Sequence, residues 1–268
     1  GTACIYVMDA IAKFEFSDEF NIWAGRFLPP SDRSNLSGPY YGNIWSFPSV
    51  QRYPNVSTGR DDGIAVWGKL LDGMLKYQVG AFSGLSTSAD IPLFATRLTL
   101  NLWDVEGGYY NNGTYYGAQD TLALGAVLMY QPDGLGADGA RGDYMGWNVD
   151  FLYEQKLAFG VPTLEAALYS YGANGIAPEA AGFDQGMGFF VLASFLLDGT
   201  QGPGTLQPKV RYMQFMADEG GVDTTQIDAG FDYVIEGHNA RVSVVYQNTK
   251  AGEADGAHGA LVGLQLQI

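Results

Sequence analysis

The stretch "RLTLNLW" at 97–103 alternates without a slip, placing Arg97, Thr99 and Asn101 on one face of an extended strand and Leu98, Leu100 and Leu102 on the other. The same period of two recurs along the chain, broken by turn-forming clusters. It predicts strands near 5–16, 20–28, 63–71, 74–83, 93–103, 121–131, 145–157, 162–171, 187–197, 205–215, 225–236, 240–248 and 260–268. No linker, low-complexity tract or amphipathic helix interrupts this series, so residues 1–268 are expected to form a single all-β domain. The alternation leaves one question open. A soluble sheet turns its leucines inward, whereas a membrane barrel turns them toward lipid and keeps its polar residues inside.

The connections alternate as well. Short turns such as "SDE" at 17–19, "DG" at 72–73 and "GHN" at 237–239 alternate with longer Gly- and acid-rich loops, the longest at 29–62. Outer-membrane barrels have this asymmetry. The segment "DVEGGYYNNGTYYGAQD" at 104–120 breaks the pattern, being long on the short-turn side, and is expected to hold a small hairpin or an extra strand pair. About thirteen strands are visible, an odd number, whereas single-chain bacterial barrels have even counts. N-terminal strands are therefore expected to be missing from this chain.

Composition favours the membrane reading. Charged residues make up 16% and aromatics 14%, with 37 Gly and 17 Tyr; soluble domains carry roughly 25% charge. No apolar run of about 18 residues is present to make a membrane helix. The net charge of −15 excludes a phosphate-neutralising surface, and with it nucleic acid as a partner. The single cysteine, Cys4, excludes an intrachain disulfide and reads as a small apolar residue. His238 lies in a tight turn and His258 in a Gly-rich loop, and neither has the flanking residues of a metal or catalytic site. No nucleophile elbow and no EF-hand spacing occur, so neither a catalytic residue, a metal nor a cofactor is expected, and the chain reads as a non-enzyme.

The segment "DAIAKFEFSDEFNIWAGRFLPPSDRSNLSGPYYGNIW" at 9–45 resembles the phosphate-selective porin O and P family and related Gram-negative outer-membrane porins. "GRDDGIAVWG" at 59–68, "LKYQVGAFSG" at 75–84, "LQPKVRYMQF" at 206–215 and "YVIEGHNARVSVVYQ" at 233–247 extend the resemblance over most of the chain. It implies a transmembrane antiparallel β-barrel of the 16-stranded porin type, in a homotrimer, with one outer loop folded inward as a constriction. Loop 29–62 takes that place. The chain departs from the phosphate-selective pattern in carrying only 14 Lys and Arg against 29 Asp and Glu. A general porin of the bacterial outer membrane, passing small hydrophilic solutes or ions by passive diffusion through a water-filled barrel, is the resulting expectation, with lipid and lipopolysaccharide around it.

Strand parity then gives a pore-lining set: Arg26, Lys69, Lys76, Arg97, Thr99, Asn101, Asp150, Glu154, Glu165, Lys209, Arg211, Asp228, Asp232 and Arg241. Within the constriction loop, Asp32, Arg33, Arg52, Arg60, Asp61 and Asp62 are expected to project toward the pore, with Tyr40, Tyr41 and Trp45 packing the loop onto the wall. Tyr6, Trp23, Tyr77, Tyr130, Trp147, Tyr153, Tyr212, Tyr233 and Tyr246 are expected in interfacial girdles. On this reading Arg97→Glu alters ion selectivity and leaves the fold intact. Two other classes fit the same pattern: a barrel that sheathes a partner such as an electron-transfer cytochrome, which predicts no inserted loop, and a secreted soluble β-sandwich, which purifies without detergent.

Overall fold

The computed structural model describes residues 7–52, 59–85, 89–137, 139–182, 184–218 and 220–267; Cys4 lies outside them. Among these residues thirteen strands form one sheet in sequence order, every neighbouring pair antiparallel. They are β1 (Ala10–Glu15), β2 (Asn21–Phe27), β3 (Asp61–Leu70), β4 (Leu75–Phe82), β5 (Leu93–Asn101), β6 (Thr121–Ala137), β7 (Ala140–Glu154), β8 (Gly160–Asn174), β9 (Gly186–Leu197), β10 (Thr205–Ala217), β11 (Thr224–Glu236), β12 (Ala240–Ala251) and β13 (Ala257–Leu266). Among the described residues β1 and β13 are the two ends of the sheet. A nine-residue helix, α1 (Arg33–Tyr41), and a single turn, α2 (Pro178–Ala181), are the helices of the described residues.

Each strand keeps the two faces that alternation dictates. In β5, Leu93, Ala95, Arg97, Thr99 and Asn101 are buried, while Phe94 and Leu98 are nearly half exposed. In β6, Ala123, Val127 and Met129 face inward, and Leu124, Leu128 and Tyr130 face out. The outer face is thus a continuous apolar surface, from Ile64 and Val79 through Val149 and Val191 to Val210, Ile227 and Phe231. So much exposed hydrocarbon is unfavourable in water and is what a bilayer core requires. The interior is polar and aromatic, the inverse of a soluble sheet.

Local chemistry fixes the short turns. At the β3–β4 hairpin Leu71 and Asp72 both adopt positive φ (55° and 56°), ahead of Gly73 at 89°. Paired positive φ values match the right-handed strand twist. In β6 the register slips between Gln131 and Leu135, around Asp133 at φ 51°. That bulge lets the strand extend with β7 well past the expected end at 131.

The long connections depart from a simple barrel. Residues 28–52 enter the interior, and α1 lies there with Arg33, Asn35, Leu36 and Ser37 buried. Segment 104–120 forms no strand in the structure. It folds inward from the opposite end, where Tyr109 stacks on Trp23 at 4.6 Å and lies edge-on to Trp67 at 5.8 Å. The expected extra hairpin is replaced by this aromatic insertion.

Leu98, near the middle of the outer face of β5, tests the inside-out assignment. Leu98→Arg is expected to lower stability by about 2–4 kcal/mol, measured by denaturant unfolding in phospholipid vesicles. A soluble sheet with the same outward Leu98 would tolerate the change.

Candidate functional site

Three adjacent strands carry the centre of the interior. In register, Thr99 of β5 opposes Gly125 of β6, which opposes Asp150 of β7. The Arg97 side chain crosses β6 above Gly125 and meets Asp150 through two bonds of 2.5 and 2.8 Å. Gly125 makes the crossing possible, since a Cβ there would lie 2.3 Å from Arg97 Nη2 and 2.4 Å from Asp150 Oδ1. Arg97 also donates to the carbonyl of Ser31 at 3.0 Å, and Asp150 accepts from the backbone N–H of Arg33 at 3.2 Å. The wall pair therefore holds the start of α1.

Arg33 then joins the two inserted segments. Its guanidinium grips Glu106 with bonds of 2.6 and 2.7 Å and donates to the carbonyl of Asn112 at 2.8 Å. Tyr115 adds a hydroxyl bond of 2.5 Å to Glu106, and Gly113 donates to the carbonyl of Tyr41 at 2.9 Å. Burial alone would raise the Glu106 carboxyl, but Arg33 and Lys76 outweigh it and hold the group at about 2. Asp32 shows the opposite balance. It caps α1 by accepting from Asn35 N–H, and it accepts from Tyr169 at 3.0 Å. Burial and the nearby Asp150 push it up to about 7.

A second charged group holds the far end of the insertion. Lys209 and Arg241 share Asp232, at 2.5 and 3.3 Å, and Arg241 also donates to the carbonyl of Gly42 at 2.9 Å. Arg211 pairs with Asp228 at 2.6 Å and donates to Ser46. Glu154 accepts from Thr114, Thr163 and the N–H groups of Tyr115 and Gly117, all within 2.9 Å. Glu165 accepts from Ser34 at 3.0 Å. Lys76 and Asn101 bond to the carbonyls of Gly108 and Gly73. Lys76, Thr99, Asn101, Glu154, Glu165, Lys209, Arg211, Asp228, Asp232 and Arg241 are buried on the inner face, each at most 5% exposed.

Other predicted site residues lie elsewhere. Arg26 faces outward at the long-loop end of β2, paired with Asp62 at 2.7 Å. In β2 the inner face belongs to Asn21, Trp23 and Phe27, so Trp23 is an interior residue and not part of a girdle. Assigning charge to the inside and aromatics to lipid inverted this strand; Arg26 escapes the penalty of hydrocarbon because it sits near the strand end with a counter-ion. Lys69 reaches Asp18 at the short-turn rim. Arg52 pairs with Asp184 and lies over the Phe215 ring at 4.0 Å. Arg60 binds Asp9, Asp61 accepts from Gly84 N–H, and Asp62 points outward. These last three belong to the edge of β3 and not to the inserted loop's apex. Sequence reading passed over Glu106 and the tyrosines of 104–120; their only signal was a long, aromatic segment on the short-turn side.

The expected water-filled path is corrected by this packing. Arg33, Arg97, Glu154, Asp228, Asp232 and Arg241 expose no measurable surface to water. The cavity among Ser34, Asn43, Glu165 and Arg211 measures about 10 Å³, room for about one water. Passive diffusion through an open interior does not fit. The sequence-based exclusion of catalysis falls too, because it relied on motifs along the chain. The fold instead assembles carboxylates with hydroxyls from remote segments, as in Asp32–Tyr169, Ser34–Glu165 and Glu106–Tyr115.

No protein-family model matches the chain, and no curated protein matches it. Among solved structures it is similar to OmpTdeltaL8, a loop L8 deletion mutant of OmpT, an outer membrane protein of Vibrio cholerae. The identity is 14%, the TM-score 0.57, and the match covers 92% of this chain and 76% of that one. The likeness supports the outer-membrane β-barrel class and not the phosphate-selective porin O and P family in particular.

Two outcomes test the site. Gly125→Val, which drives Arg97 from Asp150, and Arg97→Ala, which leaves Asp150 buried and unpaired, are each expected to cost about 3–5 kcal/mol in denaturant unfolding. Asp32 gives a pH signature. Its pKa is raised in the folded state, so its contribution is full below about pH 4 and is lost as pH rises toward 7. Proteolytic nicking within 28–52 should rise over that range, by at most about tenfold per pH unit, and Asp32→Asn should remove the Asp32-dependent part of the rise. With its apolar outer face and polar inner face, the chain has the fold of an outer-membrane β-barrel protein.

Proposed function

We propose that this protein is a plugged outer-membrane barrel, closed at rest, that works as a receptor for a charged solute by movement of its plug. One observation carries the reading: Arg33, on the segment entering from the long-loop end, and Glu106, on the segment entering from the other end, form a bidentate pair that is at most 2% exposed. A purely structural filling needs no ionic contact between two separate insertions, and apolar packing of the same volume is often as stable or more so. An ionic contact has a different property. A charged ligand that competes for either partner offers a route to release both segments, and buried ion pairs are recognised as register and switch devices.

The surroundings support a switch at this position. Arg33 is held by the wall through Asp150, and Glu106 through Tyr115, so each partner keeps a bonded neighbour when the pair opens. The kink at Gly38, with φ 59° ahead of Pro39, divides α1 into a wall-bound first part and a second part running toward β12 and β13. Movement of one part need not unfold the other. The mixed signs around the plug favour a ligand that carries charge over a neutral one, since with a neutral ligand Glu106 would keep only the neutral hydroxyl of Tyr115 as its bonded partner.

The reading is tested by electrical recording in planar bilayers. The unmodified protein is expected to show no steady conductance, and Arg33→Ala or Glu106→Ala to produce frequent opening events, at least ten times as many per unit time. Steady ohmic conductance of the unmodified protein would overturn the reading, as would a silent Arg33→Ala variant that still folds.

A further inference from the structure

Beneath segment 104–120, strands β2, β3 and β4 carry a group of buried polar side chains that the ion pairs of the interior leave aside. Lys76 and Gln78 lie on the inner face of β4, and Gln78 opposes Trp67 of β3 in register. Trp67 meets Trp23 of β2 edge-on at 5.7 Å, and Tyr109 of the inserted segment stacks on Trp23. These five residues are at most 6% exposed. Two bonds fasten the backbone of the segment to β4 here. Lys76 Nζ donates to the Gly108 carbonyl and Gln78 Nε2 to the Tyr109 carbonyl, each at 3.0 Å.

Donors outnumber acceptors in this group. Among the described residues the Lys76 ammonium has that one hydrogen bond, to a neutral oxygen, and no carboxylate at ion-pair distance; Glu106 is gripped by Arg33. The indole N–H groups of Trp23 and Trp67 and the hydroxyl of Tyr109 are buried without a partner, and against them stands the unpaired side-chain oxygen of Gln78. Lysine and tryptophan donate and do not accept, so they leave one another unsatisfied. Buried polar groups are normally bonded, and a cluster of exceptions calls for a partner. Water would take up the hydrogen bonds but leave the ammonium charge uncompensated in a closed interior. A cation would be repelled by Lys76. An anion meets both needs.

Building on the plugged-barrel reading, we propose that this group is the binding site for the charged solute, and that the solute is a small monocarboxylate. A carboxylate offers about four acceptor positions, which suits the donors Lys76, Trp23, Trp67 and Tyr109, and its single charge balances one ammonium. A sulfate or phosphate dianion would bring a second charge with no counter-ion. Lys13, exposed and 4.1 Å over the Trp23 ring, places a further cation beside the group, where it draws anions in. The bound carboxylate takes Lys76 from the Gly108 carbonyl. That frees the backbone two residues from Glu106 and loosens the segment that holds the partner of Arg33.

The test is calorimetric titration of sodium acetate into the protein in detergent micelles at constant ionic strength, with ethylammonium chloride and sodium sulfate as comparison salts. Acetate is expected to bind at a single site. Its affinity should fall by about tenfold or more in Lys76→Met, which removes a charged donor, and by about threefold to tenfold in Trp67→Phe, which removes one neutral donor. Trp67→Phe keeps the charge and an aromatic ring, so the test stands should Lys76→Met not fold. Unchanged acetate affinity in these variants would overturn the proposal. Tighter binding of ethylammonium or sulfate than of acetate would overturn the ligand class, and an absence of acetate binding would leave the group to water and overturn the site. Planar-bilayer recording separates the site from the plug. Acetate is expected to raise the opening frequency of the unmodified protein; acetate binding that Lys76→Met abolishes, with no openings at all, would uphold the site and count against the moving plug.

Discussion

The interior depends on a chain of buried charges: Arg97 to Asp150 on the wall, Asp150 to Arg33 on one insertion, Arg33 to Glu106 on the other. Each link compensates a charge that its neighbour alone would leave unpaired. Separate removal of any member is costly because the group left behind is cut off from water. The chain also sets geometry. The bidentate bonds of Arg97 fix the height of Asp150, and Asp150 fixes the backbone of Arg33, so the first turn of α1 has one position. The remainder of the insertion follows to β10, β11 and β12 through Lys209, Arg211 and Arg241.

A sheet of this kind solves two solvent problems with one alternation. The outward leucines and valines form an apolar face of the kind a bilayer core requires, and the inward polar residues satisfy the inserted backbone. Arg241 shows the second role: besides Asp232 it serves the Gly42 carbonyl and the hydroxyl of Tyr116, linking both insertions to one wall position. Carbonyls of irregular backbone at this depth need donors, and Arg241, Arg211 and Lys76 supply them alongside the amides of Gln78 and Gln265. The charged residues are thus as much the satisfaction of the plug's backbone as they are a set of ion pairs.

The strand series was legible because period two is a local property, repeated thirteen times with turn residues between. The facing of β5, β7, β10 and β12 was legible for the same reason: a charge flanked by apolar neighbours has one face to choose. β2 was misread where the rule of polar-inside met an aromatic interior. Trp23 faces inward because Tyr109 arrives from another part of the chain to cover it, which no pattern within β2 announces. α1 escaped notice for a related reason: Gly38 and Pro39 interrupt its periodicity, and its stability comes from the Asp32 cap and from Asp150.

The amino-acid sequence by itself determined the thirteen strands of the described residues, their alternation, the apolar outward row and the charge-bearing row behind it. These follow from backbone geometry and from the penalty of charge in hydrocarbon, both of which act residue by residue. Only the tertiary structure decided that the inner row binds protein instead of water. That outcome needed Arg33 and Glu106, 73 positions apart, to meet inside a sheet whose curvature neither segment specifies, and contacts of that range leave no periodic trace along the chain.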